Sequence, residues 1–409
     1  MGTWKLVKLP EGRKTVGCKW VLEVKTDSEG RLQKRKARLV AKGYSQLDGI
    51  DYEETFAPVA RLVSVRLIIS FAHKHRWVLI SLDAKSAYLN GYLDEEIYMD
   101  QPPGFEDGTD SVCLLIRSLY GLKQAGRAWF LVLQAKLLEG GYKELQTEPC
   151  IFHLSGANGQ VTAILTLYVD DFVIAAKDQS TAEKIKADLN RWFSMTDNGQ
   201  LEYILGLKVE QNAAGTQHLS QTAYIVNLAQ EFPSATNRKV MSPVRHQGPP
   251  GKHEGEPLPP PALTRFAKLT GKLLWVSLGT RIDIAYIVGH LARFISCATT
   301  AHNEAALRVV RYLEETKTHG LTFRSADHAV LQGFADSDHS GDSEERRSTS
   351  GYVFQHYGNT ISWHSKLQST TSASTVESEY VALATATSEA LFLRHIMEEL
   401  NYHDPDSRG

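Results

Sequence analysis

Apolar residues recur along this chain in two rhythms, and the switch between them predicts most of its elements. Ser64 to His75 (SVRLIISFAHKH) has the three-and-four spacing of a helix. Trp77-Val78-Leu79-Ile80-Ser81-Leu82 follows as the unbroken apolar run of a buried strand ending at Asp83. Upstream, residues 19–45 read as a hairpin, with β-rich KWVLEVKT and KRKARLVAKG joined by a turn at Asp27-Ser28-Glu29-Gly30. Gln101-Pro102-Pro103-Gly104 is a loop, and Ala128 to Leu138 (AWFLVLQAKLL) is an apolar helix closed by Gly140-Gly141. In Thr162 to Ala176 (TAILTLYVDDFVIAA), β formers flank Asp170-Asp171, which predicts two strands with the acids at the tip of a tight turn.

Farther on, Thr181 to Phe193 has the pattern of an amphipathic helix, Leu201 to Val209 of a strand and Thr222 to Phe232 of another helix. Gln247 to Ala262 (QGPPGKHEGEPLPPPA) holds six of the fourteen prolines and reads as a semi-rigid linker unable to build a packed core. Beyond it, Arg265–Gly279, Ile282–Ile295 and Asn303–Thr316 are three helix candidates rich in Leu, Ile and Val. Leu331–Asp336, Gly351–His356 and Thr360–Ser365 are short strand candidates. A long helix runs from the capping-box pattern Ser374-Thr375-Val376-Glu377 to about Leu400. No repeat shows at periods of 20 to 50 residues.

Length and composition change this picture only a little. The chain has 409 residues, enough for two or three domains, and is 42% hydrophobic and 22% charged with a net charge of -2. That near-neutral total hides a local asymmetry: Gly12 to Lys42 holds ten Lys/Arg against Glu23, Asp27 and Glu29. Such a segment suits either a polyanion or a solvated basic loop, and both readings stay open. Cys18, Cys113, Cys150 and Cys297 have no pairing or zinc-ligand spacing, which points to a reducing compartment. No apolar run approaches the roughly 18 residues of a membrane span, so no membrane partner is expected.

The chemistry gathers on the acids. Two adjacent carboxylates between buried strands repel each other, so they make sense beside a cation, or else as a solvated turn. Carboxylate oxygens alone favour Mg²⁺, which keeps waters and substrate phosphates in its shell. Asp83 also ends an apolar strand. Three carboxylates delivered by strand ends in one sheet would hold two Mg²⁺ ions, the arrangement for in-line nucleotidyl transfer, with the basic hairpin clamping a triphosphate.

These residues sit in blocks that together resemble a known family. TFAPVARLVSVR at Thr55–Arg66, LDAKSAYLNGYLDEEIYMDQPPGF at Leu82–Phe105, SLYGLKQAGRAW at Ser118–Trp129 and LYVDDFVIAA at Leu167–Ala176 resemble the reverse transcriptase of copia-type LTR retrotransposons. EYILGLKV, TRIDIAYIVGHLARF, RRSTSGYVF, ISWHSKLQ and ESEYVALATATSEALFLRHIMEEL continue the likeness in the family's order. The resemblance implies an α+β right-hand polymerase with fingers, palm and thumb in residues 1–246. A Pro/Gly-rich linker (247–262), a helical connection (263–327) and a truncated RNase H-like α/β domain (328–409) follow. It makes Asp83, Asp170 and Asp171 the catalytic, metal-binding triad for two Mg²⁺ ions, or Mn²⁺. Lys25 and Arg38 become triphosphate contacts, and Tyr88 the ring that excludes a 2′-hydroxyl. Tyr120-Gly121 lines the nucleotide pocket with Lys123 beside it, and Leu205-Gly206 falls in the strand that grips the primer. The implied partners are an RNA template, a DNA primer, an RNA–DNA hybrid, dNTPs and a partner chain or dimer. The implied location is intracellular, in cytoplasmic particles.

Past the linker, Asp336 and Glu379 match the first two catalytic acids of ribonuclease H. The family's third acid lies in a later strand, and this chain ends at Gly409, so RNase H activity is expected to be lost. The same truncation leads one to expect a mixed sheet with an unpaired edge, and a final helix whose apolar face (Val376, Tyr380, Leu383, Leu391, Leu393, Met397) is partly uncovered. Gly126 and Ile282 stand where the family has prolines, and His339 where it has tryptophan. The start at the polymerase region, without protease or integrase segments, fits a fragment or a decaying copy. A remnant that binds nucleic acid without catalysis is therefore the alternative to an active polymerase.

Overall fold

β-Branched and apolar residues on both sides of the acidic pair do form strands, and they lie at the centre of a sheet. The computed structural model describes residues 2–26, 32–212, 216–233, 239–324, 330–338, 341 and 346–401, and shows a mixed α/β chain. Contacts divide it into two compact units. The first comprises Met1–Ala60, Ser81–Ile174 and Ser180–Gly199, and the second Arg61–Ile80, Ala175–Gln179 and Gln200–Gly409.

The sheet beneath the acids has six strands, in the spatial order Met195–Gln200, Val78–Ala84, Asp171–Ala176, Val161–Tyr168, Ile151–Ser155 and Lys143–Glu144. Ala163 to Leu165 and Phe172 to Ile174 are buried without alternation, as expected for strands covered on both faces. The basic segment forms the expected hairpin. Cys18–Thr26 pairs antiparallel with Leu32–Ala41, Cys18 opposite Ala41 and Val21 opposite Arg38. The expected turn at Asp27 to Gly30 lies outside the described residues. At the hairpin's root, Cys18, Leu39 and Ala41 join a core with Ile97, Met99, Cys113 and Leu115, against which Tyr88 packs. Leu22, Val24 and Leu32, farther out, are exposed.

In the second unit, helix Leu62–His75 replaces the expected 64–75 and is buried all round from Val63 to Ala72. That burial includes Arg66, whose Nε donates to the Ile361 carbonyl at 2.6 Å and whose Nη1 donates to the Leu278 and Gly279 carbonyls at 2.7 and 3.1 Å. The guanidinium also lies 4.1 Å over the Trp363 ring. Burial pulls its pKa down to about 9, so it remains charged at neutral pH. One cation thus ties this helix to helix Pro260–Gly279 and strand Asn359–Leu367.

Several expectations are corrected here. Leu201 to Val209 is not one strand: Tyr203–Ile204 and Leu207–Gln211 pair antiparallel, and Leu205-Gly206 is the turn between them, both with positive φ. The expected 282–295 helix splits into a 3-10 turn, Ile282–Ile284, and helix Ala285–Ala292. The proline-rich segment is not a free spacer. Leu258 N–H donates to Ala298 C=O at 2.9 Å, Thr300 N–H donates to Glu256 C=O at 2.8 Å, and Leu258 packs on the helical core. Pro260 opens the next helix, where a missing N–H costs nothing. Composition identified a breaker, while tertiary hydrogen bonds decided where its backbone lies.

The last sheet, Leu331–Ser337, Thr349–His356 and Asn359–Leu367, is antiparallel throughout rather than mixed, with Leu331–Ser337 outermost and largely exposed. Helix Thr375–Glu399 is capped by Ser374 Oγ, which accepts from Glu377 N–H at 3.2 Å. Its expected apolar face divides: Leu393 and Met397 are buried, while Val376, Tyr380, Leu383 and Leu391 are exposed. Gly126 is the second residue of helix Ala125–Glu139, and His339 lies outside the described residues. Among the described residues, no helix is long and apolar enough to cross a membrane.

Truncating Arg66 leaves three carbonyls without their charged donor inside a dry interior. Arg66→Ala is expected to lower stability by on the order of 3 kcal/mol. Arg66→Lys should recover only part of that loss, because a point charge cannot serve carbonyls on two elements and a ring face together. Urea unfolding of the two variants beside the parent checks this, and equal midpoints for all three would refute it.

Candidate active site

The connection between the two central strands is only two residues long, Val169 and Asp170. Val169 has a φ of +61°. A β-branched side chain in that left-handed region costs about 1–2 kcal/mol. Two bonds fix the turn: the Trp129 indole N–H donates to Val169 C=O at 2.8 Å, and Ala84 N–H donates to Asp170 C=O at 2.9 Å. Trp129 is itself buried, edge-on to Phe193 with 4.9 Å between ring centroids.

The Ala84 bond decides which strand end meets the turn. Asp83 precedes Ala84, so Asp83, Asp170 and Asp171 come to the same end of neighbouring strands. Burial, then the charges of Asp170 and Asp83, push the Asp171 carboxyl up to about 6. Among the described residues, no three His, Cys, Asp or Glu side chains converge closely enough to hold a metal ion. The triad is therefore gathered by charge and register but is not a preformed cage. Its donor chemistry fits a hard divalent cation, since every donor is a carboxylate oxygen and the crowded charge would be relieved by one.

Tyr88 stands in the short turn Ala87–Asn90 and meets Tyr120 edge-to-face, with 4.8 Å between centroids. Both phenols are pushed up, first by burial and then by the charge of Asp170. Tyr120 also feels Arg38 and Asp83, so the five side chains share one electrostatic field. Arg38 is not an open cation: its Nη1 bonds Glu23 Oε2 at 2.7 Å. That bond is the main cause of its raised pKa, and the nearby Tyr120 and Asp170 raise it further. Lys25 pairs in register with Lys34, and its side chain lies outside the described residues.

Gly121 has a φ of +93°, and a Cβ there would collide with Ala41 O; a Cβ on Gly43 would collide with Gly121 O. Ala41 N–H donates to Tyr120 C=O at 2.8 Å. Glycine at both places lets the hairpin's root lie backbone-to-backbone against the Tyr120 segment. Lys123 is engaged, its Nζ 2.8 Å from the Tyr52 hydroxyl. Sequence reasoning missed two buried amides that brace this segment. Gln46 accepts from Lys123 N–H at 2.8 Å and donates to Gln124 Oε1 at 3.0 Å, and Gln124 donates to Asp51 C=O at 2.7 Å. It also missed Trp129, though Gln124 and Trp129 both lie inside the recognised SLYGLKQAGRAW block.

The remaining candidates belong to the second unit. Leu205-Gly206 forms a hairpin tip. Asp336 lies on an outer strand, and the next residue, Ser337, donates its N–H to Glu379 Oε1 at 3.4 Å, so strand and helix bring the two acids to one place.

The chain is similar to known proteins in fold and in sequence. By fold, the chain is similar to the foamy viral protease–reverse transcriptase solved in complex with RNA/DNA hybrid. The TM-score is 0.51 at 12% identity, over 95% of this chain and 44% of that one. Residues 1–246 match the family described as reverse transcriptase (RNA-dependent DNA polymerase). The chain is 37% identical, over 99% of its length, to the retrovirus-related Pol polyprotein from transposon TNT 1-94 of Nicotiana tabacum. It is 36% identical, over 97% of its length, to that from transposon RE1 of Arabidopsis thaliana. Against the transposon Ty5-1 protein of Saccharomyces cerevisiae it is 32% identical, over 73% of this chain and 97% of that protein. The chain belongs to the reverse transcriptase family, in its copia-type transposon class. It spans 31% and 27% of the two plant polyproteins.

Gly121→Ala forces a side chain into backbone in a left-handed conformation. The expected loss is on the order of 2 kcal/mol of stability, because the Tyr120 segment must move off the hairpin. Unfolding midpoints measure the effect, and an unchanged midpoint would contradict the close approach.

Proposed function

We propose that this chain is an RNA-directed DNA polymerase, extending a DNA primer on an RNA template from dNTPs. The observation that carries the reading is the register that sets Asp83 beside Asp170-Asp171 inside the segment matched to the reverse transcriptase family. In this reading the six-stranded sheet is the palm, the basic hairpin the fingers and residues up to 246 include the thumb. Residues 247–262 link to the helical connection (263–327), and residues 328–409 are the RNase H-like region, with Asp336 and Glu379 as its acids. The hybrid bound to the foamy viral relative supports nucleic-acid partners.

Asp83, Asp170 and Asp171 would hold the divalent cations, two Mg²⁺ or Mn²⁺ in their place, which when bound neutralise charge on the attacking hydroxyl and the departing pyrophosphate. The chain's own groups do the rest. Tyr88, braced by the Tyr120 edge, presents its ring where a ribose 2′-hydroxyl would go. Gly121, lacking a side chain, lets the nucleotide approach the backbone. Arg38 would exchange its Glu23 carboxylate for a phosphate, replacing one charge-assisted bond with another, so the exchange costs little. Leu205-Gly206 would meet the primer end, and Lys25 would add charge near the triphosphate.

Primer extension on an RNA template with Mg²⁺ tests the proposal directly. Asp170→Asn is expected to cut the rate at least about a hundredfold. Its stability should stay close to the parent's, since one of two repelling charges is removed. Near-parental extension by that variant would sink the site assignment. Tyr88→Ala should raise ribonucleotide incorporation by removing a clash rather than adding a contact. Unchanged dNTP-over-rNTP selection in the variant would dismiss Tyr88 as the gate.

A further inference from the structure

Two peptide planes flank Asp170, and the carbonyl of each accepts a hydrogen bond. Ala84 N–H donates to the Asp170 carbonyl at 2.9 Å, and the Trp129 indole N–H donates to the Val169 carbonyl at 2.8 Å. Holding both planes sets the backbone dihedrals of Asp170, and with them the direction in which its side chain leaves the turn. The two bonds differ in kind. The first comes from the main chain, which any residue except proline supplies at position 84. The second comes from a side chain, so the residue at position 129 decides whether it exists.

Packing explains a ring at this position but not its nitrogen. Ala125, Trp129, Leu133 and Leu137 recur every four residues along the buried side of helix Ala125–Glu139, so an apolar body is required there. A phenylalanine could meet Phe193 edge-on as the indole does, without a buried N–H that must find an acceptor. The acceptor found belongs to a β-branched residue held at a φ of +61°, in the left-handed region. Relaxing that φ would swing the Val169–Asp170 peptide and carry Asp170 with it. An indole N–H donates and does not accept, so it holds the carbonyl without becoming a ligand that competes for a cation. We propose that Trp129 is a positioning residue for catalysis: its N–H holds the strained Val169–Asp170 peptide, and so keeps the Asp170 carboxylate in place for the divalent cation. The inference rests on the polymerase reading in taking Asp170 as a metal-binding acid.

The test uses the full chain with Trp129→Phe, Val169→Gly and the two combined. Mn²⁺ binding is followed by electron paramagnetic resonance of the free ion, and the site is counted as the binding that Asp170→Asn removes. Trp129→Phe keeps a buried ring and is expected to bind Mn²⁺ about fivefold more weakly, the equivalent of one hydrogen bond. Its primer extension should need correspondingly more Mg²⁺, with KM for dNTP unchanged. Benzothienylalanine at position 129 keeps the two-ring shape with sulfur in place of N–H. It should show the same loss, and it replaces the phenylalanine variant if that one does not fold. Glycine adopts positive φ without strain, so in the Val169→Gly background the loss of the N–H should weaken Mn²⁺ binding by less than about twofold. Equal losses in both backgrounds would mean that Trp129 acts by packing alone and would overturn the proposal. So would unchanged Mn²⁺ affinity without the N–H. If the parent extends no primer while the N–H still governs Mn²⁺ binding in this coupled way, the polymerase reading falls and the positioning role stands.

Discussion

A turn that is unfavourable by itself sets the architecture around it. Val169 sits in backbone that disfavours its side chain, and the next two residues are carboxylates, where burial and then the charges of Asp170 and Asp83 raise the proton affinity of Asp171. The strain of about 1–2 kcal/mol is matched by the two bonds to Trp129 and Ala84, at about 1 kcal/mol each. What remains, the repulsion, falls on the two buried strands, which cannot relax without exposing their apolar residues. Central strands and a buried indole are therefore conditions for the acidic tip, because only a rigid surround can hold a strained, like-charged turn in place.

The same logic extends outward to the hairpin and the Tyr120 segment. Tyr88 rests on the core that also seats the hairpin root, and Tyr120-Gly121 meets that root through the Ala41–Tyr120 backbone hydrogen bond and close approach to Ala41 and Val40. That bond and approach hold the hairpin root and the Tyr120 segment in one relation where they meet. Farther from the root, the hairpin carries exposed Leu22 and Val24 and has no second layer in its two-stranded sheet. Few buried contacts there mean a lower local stability than at the root. Arg38 stands between these regimes, still near the Asp170 field yet paired with Glu23 across the ribbon.

In the second unit the organising element is a charge placed where apolar residues would be expected. Arg66 satisfies carbonyls from two separate elements and stacks on Trp363, whose own N–H reaches the Ser277 carbonyl at 3.0 Å. Such a planar, multivalent donor can join a helix, a helix end and a strand in a way no aliphatic side chain could. The proline-rich segment is positioned by similar means, through carbonyls and N–H groups bonded to helix ends and their loops. Polar links of this kind require particular geometry, which is why they specify one arrangement rather than merely favouring compactness.

Periodicity predicted many of the helices and strands, because burial of one face is a property of the local pattern. It placed Asp170 in a turn between two strands, with Asp171 beside it, and Asp83 near a strand end, and the ordered blocks identified the family. Local pattern was silent wherever the outcome hung on partners remote in the chain. It missed the break at Leu205-Gly206, where a turn with two positive φ values replaced a continuous strand, and it read the proline-rich segment as a semi-rigid linker without its hydrogen bonds to Ala298 and Thr300. The resemblance made Arg38 a triphosphate contact, and its bond to Glu23 is visible only once the strands are paired. Trp129 and the Gln46–Gln124 pair looked like ordinary members of a helix and a loop. Only the tertiary structure decided that Ala84 would bond Asp170 and that Gly43 would lie on Gly121. Each of these depends on contacts between residues dozens of positions apart, whose energy arises in the assembled packing and leaves no trace in local propensity.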